Sequence, residues 1–151
     1  MNLQEEVLIP RDRQTVFEAL NNIDILKASI PGCQELTWMG QDDLQARIVV
    51  KFGPVKANFL SKVTLDSSNG PEQFSLKGTG DAGAAGSATG GADVQLVEQG
   101  ENTLLRYEAK IDVVGKLAQL SIRLIEGTSR KLAKQFFVNF ADAIQSDTEA
   151  P

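Results

Sequence analysis

Residues 116–145 read KLAQLSIRLIEGTSRKLAKQFFVNFADAIQ, and one apolar stripe at helical spacing runs through the whole stretch. The stripe contains Leu117, Leu120, Leu124, Thr128, Leu132, Phe136 and Phe140. Charged residues such as Arg130, Lys131 and Lys134 fall on the opposite side and should face water. The pattern predicts one uninterrupted amphipathic helix, about 45 Å long at 1.5 Å per residue.

The segments before this helix alternate polar and apolar residues, which is the period of β-strands. Strands are predicted at 2–9, 34–38, 44–52, 54–65, 74–78 and 103–114, and short helices at 13–21 and 22–29. Residues 78–92 read GTGDAGAAGSATGGA and could form a flexible linker. Because they lead into Val94 and Leu96 and lie between strands, we predict instead a strongly bent strand with few side chains.

The predicted element order is β-α-α-β-β-β-β-β-β-α, which is typical of the α+β class. It favours a helix-grip fold, in which a curved antiparallel sheet wraps around a long C-terminal helix. We expect a single domain over residues 1–145 and a disordered tail over 146–151.

Composition argues against several classes of function. The chain has no histidine, so it lacks the usual general base and the commonest transition-metal ligand. We therefore expect no catalytic residue, metal site or cofactor, although carboxylate, lysine or tyrosine chemistry stays open in principle. The formal net charge of −5 disfavours nucleic acid as a partner. With one cysteine, Cys33, and no signal-like or membrane-spanning apolar run, we expect a cytoplasmic protein.

A long helix laid across a curved sheet tends to leave space between the two. An empty space of about 300 Å³ would cost roughly 7 kcal/mol, comparable with the stability of a whole domain. Such a space should therefore hold bulky side chains, water or an apolar ligand. The residues predicted to line it are inward-facing and apolar: Phe52, Phe59, Val63, Phe74, Leu76, Tyr107, Leu117, Leu120 and Leu124. Each also fits an ordinary core position, and the Tyr107 hydroxyl fits either a ligand contact or a structural hydrogen bond.

Several short segments together resemble the carbon monoxide dehydrogenase G-subunit family, over about residues 2–145. They are Ile30-Pro31-Gly32-Cys33, Lys51-Phe52-Gly53-Pro54-Val55, the glycine-rich 78–91, Val114-Gly115-Lys116-Leu117-Ala118, Arg123-Leu124-Ile125 and Gln135-Phe136-Phe137. That family belongs to the START-like, or SRPBCC, group, which includes lipid-transfer domains, pollen allergens and polyketide aromatases. The resemblance implies the START-like, Bet v-type form of the helix-grip fold, with a hydrophobic cavity for a quinone or lipid. It also implies an accessory role beside a molybdenum-containing carbon monoxide dehydrogenase or related hydroxylase.

Two other functions remain open at the level of sequence. One is a cyclase or hydrolase that uses the same cavity, with Tyr107, Glu5 or Arg123 as acid, base or orienting group. The other is a protein-interaction subunit with a filled core and no ligand.

Contact with a membrane is the other open point. Some relatives continue into a membrane-anchoring tail, whereas this sequence ends at Pro151. We therefore expect at most transient, peripheral contact with the inner face of a membrane. Trp38 and Met39, next to a predicted turn, fit either the core or a tip that touches a membrane or a partner protein.

Overall fold

The computed structural model describes the backbone of residues 1–149 and the side chains up to Gln145. One seven-stranded antiparallel sheet is formed by β1 (Asn2–Ile9), β2 (Cys33–Trp38), β3 (Asp43–Phe52), β4 (Val55–Asp66), β5 (Gln73–Asp81), β6 (Ser87–Gln99) and β7 (Asn102–Val114). The helices are α1 (Arg13–Leu20), α2 (Ile23–Ser29) and α3 (Ile122–Glu149). The strand order is β1-β7-β6-β5-β4-β3-β2. The predicted α+β class and order of elements are confirmed.

Helices α1 and α2 connect the two edge strands of the sheet, and each begins at a side-chain cap. The Asp12 carboxylate accepts the N–H of Thr15 at 3.1 Å, and the Asn22 side chain accepts the N–H of Asp24 at 3.0 Å. The Asn139 amide of α3 donates to the Ser29 carbonyl at the end of α2, at 3.1 Å. This bond ties the second half of α3 to the short helices.

Helix α3 begins six residues later than predicted, at Ile122 rather than Lys116. Residues Gly115–Gln119 form a 3-10 turn, and Leu120 is extended. The Ser121 hydroxyl then accepts the N–H of Leu124 at 3.2 Å, as an N-cap does. The uninterrupted helix was a wrong prediction, because the spacing of Leu117, Leu120 and Leu124 suits a separate turn equally well.

The far end of α3 also differs from the prediction. The helix continues to Glu149, past the expected end at Gln145. Residues 150–151, where the rest of the expected disordered tail falls, lie outside the described residues.

The glycine-rich segment is part of the sheet and not a linker, as predicted, but it forms two strands rather than one bent strand. Strand β5 ends at Asp81, a 3-10 turn covers Gly83–Ala85, and β6 starts at Ser87. Gly86 has a φ of 112°, and a Cβ atom there would overlap the Val114 carbonyl. The turn therefore needs glycine, which brings it against the 3-10 turn that precedes α3.

The apolar core is divided into three clusters. Cluster 1 lies beneath α1, α2 and the second half of α3, and contains Leu3, Ile9, Val16, Ala19, Leu20, Ile25, Phe74, Val94, Leu96, Leu105, Tyr107, Phe140 and Ile144. Cluster 2 lies at the opposite end of the central strands and contains Val50, Phe52, Ala57, Phe59, Leu117 and Ile125. Cluster 3, beside strands β3 and β4, contains Leu26, Leu44 and Leu65. Helix α3 spans from cluster 2 to cluster 1.

Trp38 is half-buried and packs against cluster 3, whereas Met39 is 64% exposed. Of the two interpretations, the core position therefore holds for Trp38 and the exposed tip for Met39.

Candidate ligand-binding site

The inner face of the sheet carries small residues between cluster 1 and cluster 2. Ser61, Gly78, Gly90 and Ala92, which we call the saddle, are half-buried and lie outside the three clusters. Gly78 pairs with Gly90 across β5 and β6, and Ala92 pairs with Ala109 of β7. Because these residues have short side chains or none, they form a depression on the inner face of the sheet, between the large side chains of cluster 1 and those of cluster 2.

Helix α3 runs from cluster 2 to cluster 1 and so crosses the level of the saddle. Its backbone approaches α2, β3 and β1 closely, and the central strands β4 to β7 much less. The middle of the helix is also built from small residues, Gly127, Thr128 and Ser129. Val63 and Ile111, which flank the saddle on the inner face, are only partly buried even though their alternation points them inward. Part of each of these two side chains is thus exposed to solvent.

The nine residues predicted to line a cavity surround the saddle on several sides. Cluster 2 contains Phe52, Phe59 and Leu117, and Leu120 packs against it. Cluster 1 contains Phe74 and Tyr107. Of the other three, Val63 packs on cluster 3, Leu76 packs on clusters 1 and 3, and Leu124 lies beside Gly53. The aromatic members already have partners, since the rings of Phe52 and Phe59 meet edge to face with centroids 6.4 Å apart. That these residues contact a ligand stays a prediction.

A polar group of three residues lies on the inner face near cluster 1. Glu5 and Tyr107 are directly opposite each other in the β1–β7 ladder. The Tyr107 hydroxyl donates to Glu5 Oε2 at 3.1 Å, and an Arg130 guanidinium nitrogen lies 3.4 Å from Glu5 Oε1. The Tyr107 ring stacks on Phe137, with centroids 5.6 Å apart. The hydroxyl hydrogen of Tyr107 is thus donated to Glu5, whereas Arg130 has N–H donors beyond the one that faces Glu5.

Arg130 is the member that sequence reasoning missed. On the helix it neighbours solvent-facing lysines, and 125 positions separate it from Glu5, so no local pattern connects the two. Arg123, which was considered for the enzyme interpretation, is instead exposed in the first turn of α3.

The titration of Tyr107 tests this arrangement. The pKa of Tyr107 is raised to about 12, chiefly by burial and also by the neighbouring Glu5 charge and hydrogen bond, against a smaller opposing effect of Arg130. Because this is the only tyrosine in the chain, ultraviolet absorbance of tyrosinate reports it alone. We expect a midpoint about two units above the ordinary value of about 10.

The sign of the linked stability follows from the raised pKa. The folded state holds the phenol proton more tightly than the unfolded state, so protonated Tyr107 contributes to the free energy of unfolding. This contribution is complete below about pH 10 and is lost as the pH rises towards 12. Glu5→Gln should lower the midpoint, and Arg130→Gln should raise it. A midpoint near 10 in protein that circular dichroism shows to be folded would contradict the arrangement.

Solved structures similar to this one share its whole fold. A conserved protein from Geobacillus kaustophilus is 23% identical, with a TM-score of 0.90 over 97% of this chain and 96% of that one. A START superfamily protein from Mycobacterium smegmatis is 8% identical, with a TM-score of 0.73 over 96% and 97% of the two chains. The Zhui aromatase/cyclase from Streptomyces sp. R1128 is 12% identical, with a TM-score of 0.72 over 99% and 96%. The fold is therefore START-like, as predicted.

Every helix within residues 1–149 is too short or too polar to cross a lipid bilayer. Among curated proteins, none matches the chain.

Family membership rests on a match that covers most of the sequence. The profile of the carbon monoxide dehydrogenase G-subunit family (CoxG) matches residues 6–145. The matched range includes the saddle, the polar group around Tyr107 apart from Glu5, and nearly all of α3. Together with the START-like fold, it indicates a ligand-binding or accessory role. This chain belongs to the carbon monoxide dehydrogenase G-subunit (CoxG) family.

Proposed function

We propose that this protein is a non-enzymatic carrier that binds an apolar small molecule, a quinone or a lipid, over the saddle. The observation that carries the proposal is the pair of apolar clusters separated by half-buried small residues beneath α3. A protein interior normally packs as densely as an organic crystal. Half-buried small residues between two well-packed clusters would leave the space that a bound molecule needs.

The energy available to such a guest is sufficient for useful affinity. A ligand that buries about 300 Å² of apolar surface gains roughly 7 kcal/mol, before the cost of association is subtracted. The polar group around Tyr107 would orient the ligand, because the Arg130 guanidinium has N–H donors beyond the one that faces Glu5. A quinone carbonyl or a lipid ester oxygen would accept such a donor at one end of the site.

The family supplies the expected partner. As a member of the CoxG family, the protein would act as an accessory subunit of a molybdenum-containing carbon monoxide dehydrogenase or a related hydroxylase. An apolar carrier beside a redox enzyme would deliver an electron acceptor or hold a lipid. Transient, peripheral contact with the inner face of a membrane would give access to either molecule.

Native mass spectrometry of the purified protein tests the proposal. We expect an added mass that organic extraction releases as a quinone or lipid, and rebinding of decylubiquinone by the extracted protein with micromolar affinity. Protein that is repeatedly purified without a ligand, and that binds neither decylubiquinone nor phospholipid, would contradict the proposal. A pull-down of molybdenum-enzyme subunits by such empty protein would favour a purely protein-binding role.

A cyclase-type enzyme is the second candidate, and the polar group around Tyr107 is the observation that favours it. The raised pKa keeps Tyr107 protonated at neutral pH, so its hydroxyl would donate a hydrogen bond or a proton and not act as a base. Glu5 is already paired with Arg130 and Tyr107. Turnover of a polyketide-like substrate that is abolished by Tyr107→Phe would support this candidate over the carrier.

A further inference from the structure

A second concavity opens at the side of the molecule, between α3 and the free edge of β3. Its volume is about 410 Å³, which lies within the range of small-molecule sites. It is bounded by the turn at Pro31-Gly32, by residues 49–53 at the end of β3 and by α3 residues 128–135. Three of the segments that carried the family resemblance, 30–33, 51–55 and 135–137, meet here. We call this concavity the side groove.

The side groove exists because β2 is shorter than β3. The β2–β3 ladder ends at the pair Cys33 and Ile48, and the Val49 N–H then donates to the Gly32 carbonyl at 3.0 Å. In a strand, alternate residues direct their main-chain groups to the same edge. The main-chain N–H of Lys51 therefore points to the same edge as that of Val49, where β2 no longer runs alongside.

The rim of the side groove is cationic. Lys51 and Lys131 stand on opposite walls, and Thr128 adds a hydroxyl donor. The described residues that line the groove include no carboxylate, although the whole chain carries a net charge of −5. A local excess of positive charge on an acidic protein favours an anionic group at this place.

The floor of the side groove is apolar and leads inward. Val50 is a buried member of cluster 2, and Leu132 packs against the same cluster. The groove thus joins a cationic rim to the apolar surface that borders the saddle. A free inorganic anion would leave this floor unused, whereas a molecule with an anionic head and a hydrocarbon chain would cover both parts.

We propose that the side groove binds the head of an anionic amphiphile, a carboxylate or phosphate group attached to an acyl chain, while the first part of the chain lies on the apolar floor of the groove. The proposal rests on the proposed carrier function and concerns the lipid of its two ligand classes. Lys51 and Lys131 pair with the head, and Val50 and Leu132 contact the first part of the chain.

The test compares the binding of charged and neutral ligands that carry similar hydrocarbon chains, and it compares the wild-type protein with a double variant. Isothermal titration calorimetry would measure oleate, dodecyl phosphate, oleyl alcohol and inorganic phosphate against the wild-type protein and against Lys51→Gln/Lys131→Gln. The matched control is Lys56→Gln/Lys134→Gln, which changes the net charge equally at exposed lysines of the same strand pair and helix outside the groove. All four lysines are exposed, so both double variants should fold.

We expect the groove variant to weaken binding of oleate or dodecyl phosphate about tenfold or more, because hydrogen bonds to charged groups are lost. Binding of oleyl alcohol should not change, and the control variant should behave as wild type. Equal weakening by both double variants, or tight binding of inorganic phosphate alone, would overturn the proposal. If oleyl alcohol and decylubiquinone bind but the lysine substitutions have no effect, only the side-groove proposal fails; if no chain-bearing compound binds at all, the carrier function fails with it.

Discussion

Ala92→Phe is expected to weaken decylubiquinone binding about 100-fold or more while the protein stays folded. Ala92 lies in the saddle, on the inner face of β6 between Leu76 and Ala109. A phenylalanine side chain there would rise into the space beneath α3 that the proposed ligand requires. Calorimetric or fluorescence titration with decylubiquinone would measure the change.

The stability of the same variant gives an independent result. Where space is free, the added ring gains apolar burial, so the free energy of unfolding should stay the same or rise by about 1–2 kcal/mol. In a filled core, overpacking would lower it by about 1–3 kcal/mol. Urea denaturation therefore separates an open saddle from a closed one, even before a natural ligand is known.

Thr89→Phe is the matched control, because it places the same ring on the outer, exposed face of the same strand. We expect this variant to bind decylubiquinone like the wild type. Strong destabilisation of Ala92→Phe, or equal binding by both variants, would count against a ligand over the saddle.

Phe140→Ala should have the largest effect on stability, a loss of about 4 kcal/mol in the free energy of unfolding. Phe140 is fully buried in cluster 1, and its ring stacks on Phe136 with centroids 5.8 Å apart. Removing the ring would leave a cavity where the second half of α3 meets the short helices. Since a domain is stabilised by only about 5–15 kcal/mol, the loss should be plain in urea denaturation.

Val138→Ala on the same helix serves as the control, because Val138 is 49% exposed. Its effect should stay within about 0.5 kcal/mol. Phe140→Leu, which keeps most of the volume, should lie between the two and remains measurable if the alanine variant does not fold. If Phe140→Ala behaved like Val138→Ala, Phe140 would not help to hold α3 against cluster 1.

The strands and the fold class were predictable because alternation along β3, β4 and β7 is long and regular, and because one amphipathic segment follows the last strand. The start of α3 was not predictable in the same way. An extended residue between a 3-10 turn and a helix keeps nearly the same apolar spacing as a continuous helix. Only the hydroxyl of Ser121, in a position to cap, hinted at the interruption.

The candidate site was predictable only in part. Inward-facing aromatic residues can be identified from the alternation of side chains along a strand. The alternation does not tell which of these rings pack against each other, as those of Phe52 and Phe59 do. The Arg130–Glu5 contact and the cationic side groove depend on how α3 lies across the sheet. The groove further depends on the late start of β2, and the lengths of neighbouring strands are set by tertiary packing rather than by either sequence alone.

The smallness of the saddle residues has a consequence for how relatives with this fold can diverge. Alanine and serine at Ala92 and Ser61 bury little apolar area, so exchanging them for other residues removes almost none of the energy that stabilises clusters 1 and 2. In the proposed carrier, the shape of the ligand and the stability of the protein are thus encoded at different positions. A lineage could change what it carries by a few substitutions while its architecture persists.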